Sequence, residues 1–509
     1  MRLRRVLQTD FLPLALALAA RLIPGPRPID DAYITFRYAQ NLLAGHGLVY
    51  NSGEWVLGTT TPLYALMMAG LGAVTGGASA PFPYLAWFLN SLADVFTCWL
   101  LIKLGEKLGH RYAGYAAAII WAIAPWSVTF AIGGMETSFF VLLLVGTFYF
   151  HSKARPVPAA FLGSLGLITR PDALLFVGLI AAERVRRSLP WKRINPNPLP
   201  LSLRESIAFT APLLLWGICG TILYGSPIPH SMFAKTLAYH LPTDAGLIRL
   251  LQHYATPFVG DYLFGTWWIG LGLVLFPILF GLGATRLRRE RPGSWPIIAY
   301  PWIYLIAFAV ANPLIFRWYL TPPLPAYLLG IFLGVDRISQ DIKSNLPRIG
   351  FALLAVGLTL NGWTLHPDHG PTRPAPRMAY IKLELLYEQV GREVADKIQP
   401  DETLSAGDIG ALGYFSGAHI LDTIGLISPR STSYYPLPDS LFAEGQNYAI
   451  PPDLVVELEP DYLVILEAYG RNGLLRDARF KQAYDLMETI PTDIYGSRGM
   501  LVFKRIPKP

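Results

Sequence analysis

Residues 29–63 read IDDAYITFRYAQNLLAGHGLVYNSGEWVLGTTTPL, and they lie between two hydrophobic runs. Adjacent carboxylates, Asp30 and Asp31, head the stretch, followed by Tyr33, Phe36, Arg37 and Tyr38. From Asp31 to Leu43 apolar residues recur every three or four positions, which predicts a helix lying along a surface. Gly45, Gly47 and Gly53 predict tight turns, and Thr59, Thr60, Thr61 and Pro62 open the next hydrophobic segment. Two carboxylates at the edge of a membrane span are costly to hold there, which points to function. The other reading is a helix cap, in which acids in a first turn stabilise a helix by roughly 1 kcal/mol.

Composition sets this stretch in a membrane. Of 509 residues, 52% are hydrophobic and only 15% charged, with a mean hydropathy of +0.37, as in a polytopic membrane protein with a soluble part. Residues 1–363 carry a net charge of +13 and residues 364–509 a net −6. The basic excess therefore belongs to the apolar part, which speaks for basic membrane loops and a phosphate site and against a nucleic-acid surface. Cys98 and Cys219 both lie in apolar runs, which argues against a disulfide and against a cysteine metal set. No Walker-type loop, dinucleotide fingerprint or HExxH occurs, which argues against an ATP-driven pump, a nucleotide-cofactor enzyme and a zinc protease of that class.

MRLRR precedes an apolar run from Val6 to Ile23, read as an uncleaved first span with a cytoplasmic N-terminus. Further apolar segments near 61–77, 83–102, 112–132, 136–150, 157–169, 172–182, 206–224, 258–284, 295–311, 316–335 and 348–363 predict about eleven to thirteen membrane helices. Several are shorter than the ~20 residues of a straight span. Basic clusters at Arg184, Arg186, Arg187, Lys192 and Arg193, at Arg286, Arg288, Arg289 and Arg291, and at Arg337, Lys343 and Arg348 mark cytoplasmic loops. Alternation then puts Gly133–Glu136, Thr169–Asp172, residues 225–257, Asn312–Arg317 and the C-terminal part outside. Parity requires that one of 61–77, 83–102 or 112–132 does not cross fully. From about Thr364 a Pro-rich linker (364–374) leads to short strands and a helix. The expected organisation is a membrane domain over 1–363 with an external loop at about 24–60, the linker, and an external α/β domain over 375–509.

The DD-aYItfRya-N-l-G-G-l-yN-gE-v-g-t-PL pattern resembles the first external loop of the GT-C superfamily of membrane glycosyltransferases. It is most similar to bacterial enzymes of the mycobacterial terminal arabinofuranosyltransferase type. Protein O-mannosyltransferases, with an Asp-Glu pair here, are more distant relatives. The resemblance implies a polyprenyl-phosphate-linked pentose or hexose as donor. It implies as acceptor a hydroxyl of an envelope glycan, glycolipid or protein, outside the bacterial cytoplasmic membrane. Such transfer needs a base for the acceptor proton and a cation for the leaving lipid phosphate.

By match to the superfamily's acidic pair, Asp30 is the expected base, with Asp31 supporting it or binding a metal. Arg37 and Tyr38 of the same pattern are expected to bind substrate. Gly133-Gly134-Met135-Glu136-Thr137 resembles the place where a further acid enters the active site, often with a divalent cation. A single Glu136 stands here in place of the fuller acidic motif of the oligosaccharyltransferases. Asp31 and Glu136 are thus candidate ligands without an established metal, and a helix cap is the other reading of Glu136. Arg170 and Asp172 in ITRPD, Lys235 in YGSPIPHSMFAKT, and Arg317 and Tyr319 in IFRWYL are the donor-binding candidates. Their cations sit at outer ends of spans, against the positive-inside trend. The PIPHSMFAKT loop is similar to a P-x-P-N-x-x-x-x-K segment of the bacterial relatives, with His230 where Asn is usual. Asp408 and Asp422-Thr-Ile-Gly-Leu resemble a segment of their external domains, and plain turn carboxylates are the alternative. The rival classes are a multi-pass transporter or lipid flippase, which should carry inverted repeats not visible here, and a non-catalytic glycan-binding membrane scaffold.

Overall fold

The computed structural model describes residues 2–189, 199–365, 373–379 and 381–507, with side chains from residue 10 onward. Lys192, Arg193 and residues 366–372 of the expected linker lie outside the described residues. Contacts divide the chain into two units, each drawn from three separate stretches.

The first unit comprises Met1–Arg27, Pro83–Trp216 and Thr243–Tyr380 and is almost wholly helical. Among the described residues, five helices of the chain are long and apolar enough to cross a membrane: Phe82–Leu108, Leu203–Tyr224, Thr266–Glu290, Pro292–Ala311 and Arg317–Asp341. A sixth span arises if Arg111–Ile123 and Pro125–Ile132, bent by 49° where Pro125 interrupts the helical hydrogen bonds, are taken together. The chain is a multi-pass membrane protein. Other apolar runs form helices of 12–16 residues: Pro62–Ala73, Thr137–Ser152, Pro156–Thr169 and Leu346–Leu360. At a rise of 1.5 Å per residue these span about 18–24 Å against ~30 Å of hydrocarbon. Arg21 is fully buried and donates to Asp94 Oδ2 (2.9 Å), Ala122 O (2.6 Å) and Ser127 Oγ (3.0 Å), tying the first helix to its neighbours. The ends of the linker are pinned by a short antiparallel pair, Trp363–Thr364 with Ala375–Pro376.

The second unit comprises Pro28–Phe82, Gly217–Pro242 and Ile381–Pro509. Its helices include α1 (Asp30–Leu43), α2 (Pro62–Ala73), α3 (His230–Ala238), α4 (Lys382–Ala395) and, after strand β1 (Thr403–Ala406), α5 (Gly410–Ser416). Strands β2 (His419–Asp422), β3 (Tyr462–Leu466), β4 (Tyr484–Ile490) and β5 (Met500–Arg505) complete a five-stranded sheet of order β2-β1-β3-β5-β4. β1 runs parallel to both β2 and β3, whereas β5 is antiparallel to β3 and β4.

Helix α1 begins at the acidic pair as its periodicity predicts, and Gly45, Gly47 and Gly53 all take positive φ in the turns that follow. It does not lie along a surface, for Ala32 to Ala39 are all buried. The polar positions tolerate enclosure because each finds a partner: Thr35 Oγ1 lies 3.4 Å from Thr61 Oγ1, and Arg37 bonds backbone carbonyls. On its apolar side Tyr33 packs against Tyr414 and Phe415, each at 5.2 Å between centroids, and Phe36 stacks on Phe82.

Candidate active site

The acidic pair divides its two carboxylates between different tasks. Asp30 Oδ2 accepts the N–H of Gly410 (3.1 Å) and Oδ1 that of Ala411 (2.7 Å), so this side chain caps the first turn of α5. A Cβ on Gly410 would lie 1.8 Å from the backbone oxygen of Asp30, and only glycine permits that approach. Burial raises the Asp30 carboxyl well above the usual range, the Asp408 charge raises it further, and the Ala411 N–H partly offsets both. Asp31 is partly exposed, with Oδ2 3.9 Å from Nζ of Lys235 on α3. His230 heads the same helix; its N–H donates to Leu57 O (2.8 Å), and burial lowers its imidazole pKa.

A third carboxylate completes this group. Asp408 follows β1 and accepts a 2.6 Å hydrogen bond at Oδ2 from the Tyr387 hydroxyl of α4. Burial and the nearby Asp31 charge raise its pKa to about 6, against the lowering effect of Tyr387. Asp422 is the last residue of β2, opposite Ala406 of β1, and is fully enclosed. Its oxygens accept the N–H groups of Ile424 (2.8 Å) and Ile427 (3.1 Å), so it is the turn carboxylate. Nothing in the sequence separates these two aspartates except the glycine before Asp408. Tyr387 carries no signal at all.

Arg37 and Tyr38 are engaged by the backbone. Arg37 donates to the carbonyls of Tyr50 (2.9 Å), Gly413 and Ala418 (2.5 Å), and lies over the Tyr50 ring. Tyr38 donates to Val56 O (2.7 Å) and accepts the Gly58 N–H (2.8 Å). Asn51 adds a side-chain amide paired with both backbone groups of Ile420 in β2 (2.8 and 3.0 Å).

Glu136, Arg170, Asp172 and Tyr319 form a separate group, in the first unit. The buried Arg170 guanidinium meets Glu136 Oε1 at 3.0 Å and grips Asp172 with two bonds of 2.9 and 3.0 Å. It also lies over the rings of Tyr319 and Phe140, and Tyr304 donates to Asp172 Oδ2 (3.2 Å). Arg317 donates to Met378 O (2.9 Å). Among the described residues no group of three or more His, Cys, Asp or Glu side chains is placed to hold a metal ion. The two candidate ligands each meet a cationic side chain: Asp31 Oδ2 lies 3.9 Å from Lys235 Nζ, and Glu136 Oε1 lies 3.0 Å from the Arg170 guanidinium.

The whole architecture has solved counterparts. ArnT from Cupriavidus metallidurans, bound to undecaprenyl phosphate, superposes with a TM-score of 0.56 at 11% identity, covering 98% of this chain and 97% of that one. The chain has the GT-C membrane glycosyltransferase fold. Within that fold, its sequence is distantly related to two curated proteins. The terminal β-(1→2)-arabinofuranosyltransferase of Mycobacterium tuberculosis is 28% identical over 187 residues, 32% of this chain and 29% of that protein. GPI mannosyltransferase 3 of Drosophila melanogaster is 22% identical over 407 residues, 75% of this chain and 66% of that protein. Both matches span less than two thirds of the relative's own length. Residues 378–503 of this GT-C chain also match a family described as a domain of unknown function (DUF8728).

Proposed function

We propose that this chain transfers a sugar from a polyprenyl-phosphate donor to a hydroxyl of an envelope glycan, glycolipid or protein. The site would face the outer side of a bacterial cytoplasmic membrane, with residues 381–509 on the same side. The observation that carries this reading is the Asp31 carboxylate, partly exposed beside the Lys235 ammonium at 3.9 Å, in a chain of GT-C fold. Asp31 takes the acceptor proton as the acceptor oxygen bonds to the anomeric carbon and the bond from that carbon to the phosphate oxygen breaks. Lys235 meets the charge that develops on the departing polyprenyl phosphate. Asp30, given the base role by the acidic-pair match, serves in this reading as the cap that holds α5. The relatives support the donor class: ArnT was solved with undecaprenyl phosphate, and the curated relatives are an arabinofuranosyltransferase and a mannosyltransferase.

The test is sugar release from labelled undecaprenyl-phosphate arabinofuranose and mannose by the purified full chain in lipid nanodiscs. Asp31→Asn is expected to slow turnover by about 10²–10⁴-fold. Wild-type turnover in Asp31→Asn removes the base from this residue, and inertness of the unaltered protein towards every lipid-linked sugar removes the transferase reading.

A further inference from the structure

Asp408 stands at the carboxyl end of β1, and β1 is the strand from which the parallel part of the sheet departs in both directions, to β2 on one side and β3 on the other. Open α/β sheets bind ligands in the crevice outside such a switch point. Of the two Asp408 oxygens, Oδ2 receives the Tyr387 hydroxyl, whereas Oδ1 has no partner among the described residues. The Asp408 charge acts on Tyr239, Tyr448 and Tyr469, whose rings are packed edge to face, Tyr239 on Tyr448 (6.2 Å) and Tyr448 on Tyr469 (5.1 Å). It also interacts with the Asp31 charge. A carboxylate oxygen without a protein partner, in electrostatic contact with a cluster of tyrosines, suits a sugar, whose hydroxyls donate to the carboxylate.

We propose that Asp408 positions the acceptor: Oδ1 accepts a hydrogen bond from a hydroxyl neighbouring the one that Asp31 deprotonates, so the acceptor's reacting unit is itself a sugar. This rests on the transferase reading above and names its acceptor class. Tyr387 fixes the carboxylate through Oδ2 and leaves the other oxygen turned to the ligand. The inference places part of the reaction centre in the C-terminal stretch of the chain, on a loop between β1 and α5.

Equilibrium binding of octyl-linked arabinofuranosyl and mannosyl disaccharides to the full chain in detergent, read by saturation-transfer NMR without donor, tests it. The wild type is expected to bind one of the two disaccharides. Asp408→Asn is expected to weaken that binding by about tenfold or more, as for loss of a charge-assisted hydrogen bond. Tyr387→Phe, which keeps the carboxylate but releases its anchor, is expected to weaken it by about two- to tenfold. Undiminished binding in folded Asp408→Asn overturns the assignment. So does undiminished binding in Tyr387→Phe should the first variant not fold, as does capture of short Ser/Thr peptides in place of both sugars. Intact disaccharide binding in a protein that consumes no lipid-linked sugar removes the transferase reading instead, so the two failures are distinguishable.

Discussion

Asp30 and Ala411 stand 381 positions apart in the chain, and a 2.7 Å hydrogen bond from the Ala411 N–H to Asp30 Oδ1 joins them. Together with the Gly410 N–H on Oδ2, it makes one side chain the first residue of α1 and the cap of α5. Asp30 thus caps a helix other than its own, and under the proposed function the chemistry falls to Asp31. Asp30 has both oxygens engaged by backbone, and Asp31 presents its carboxylate to Lys235.

Asp30→Ala removes the cap and is expected to cost about 0.5–2 kcal/mol, the range measured for losing an N-cap acceptor. Asp30→Asn keeps one acceptor oxygen and is expected to lose less stability, and less turnover than Asp31→Asn. Gly410→Ala is expected to be worse than either, because its Cβ would meet the Asp30 backbone, which cannot rotate away. Thermal unfolding of the three variants checks the order, and a wild-type melting temperature for Gly410→Ala contradicts the close approach.

Arg37 is a buried cation that donates to backbone carbonyls, two of them, Gly413 and Ala418, in α5 and just beyond its end. Arg37→Ala leaves those carbonyls without donors and is expected to destabilise by on the order of 3 kcal/mol. Arg37→Lys is expected to recover little, since a single ammonium cannot match the planar fork. Limited proteolysis within 381–509 reads the loosening. If Arg37 instead binds substrate, resistance to protease stays at the wild-type level and only the donor or acceptor KM moves.

The start and end of α1, the turns at Gly45, Gly47 and Gly53, the onset of α2 at Pro62 and the strands around Asp408 were legible, because each follows from local periodicity or local backbone preference. What was not legible is partnership. Arg37 was expected to bind substrate, and periodicity does not reveal that the Tyr50, Gly413 and Ala418 carbonyls take its donors. Asp408 and Asp422 read alike, because the difference lies in two N–H groups that a turn aims at one and not at the other.

Arg170 was a phosphate candidate on its place in the chain, and it lies buried between Glu136 and Asp172. Its removal strands two buried acids, so Arg170→Ala is expected to cost about 3–5 kcal/mol. The triple variant Arg170→Met, Glu136→Gln, Asp172→Asn is expected to regain much of that, since no unpaired charge is left inside. A structural ion triad predicts this recovery in denaturant melts. A phosphate ligand predicts the opposite, a stable single variant with a raised donor KM, and that outcome reinstates Arg170 in donor binding.

Orientation is open to a chemical check. On a background lacking Cys98 and Cys219, His240→Cys and Ser440→Cys are exposed positions expected to react with an impermeant thiol reagent added outside the cell. Arg289→Cys, equally exposed, is expected to react only after permeabilisation. Labelling of Arg289→Cys from outside reverses the orientation and moves the site to the cytoplasmic face.

The pH dependence of acceptor use follows from Asp408, with a pKa of about 6. The groups it interacts with are Asp30, Asp31, Tyr387, Tyr239, Tyr448 and Tyr469, and none of these tyrosines titrates near neutrality, because all four have raised pKa values. Only the ionised carboxylate accepts strongly from a sugar hydroxyl, so acceptor KM is expected to rise by about tenfold as pH falls from 7.5 to 5. Asp408→Asn should give a high KM that no longer varies through this window. Stability moves the other way. A carboxyl raised from 3.8 to about 6 on folding favours the folded state most below pH 3.8, and that contribution is lost as pH rises through 6. Acidification across this range therefore weakens acceptor binding while strengthening the fold at this residue, and a rising KM at pH 5 cannot be attributed to unfolding there. A flat wild-type profile between pH 5 and 7.5, with Asp408→Asn indistinguishable from it, would leave Asp408 outside the acceptor site.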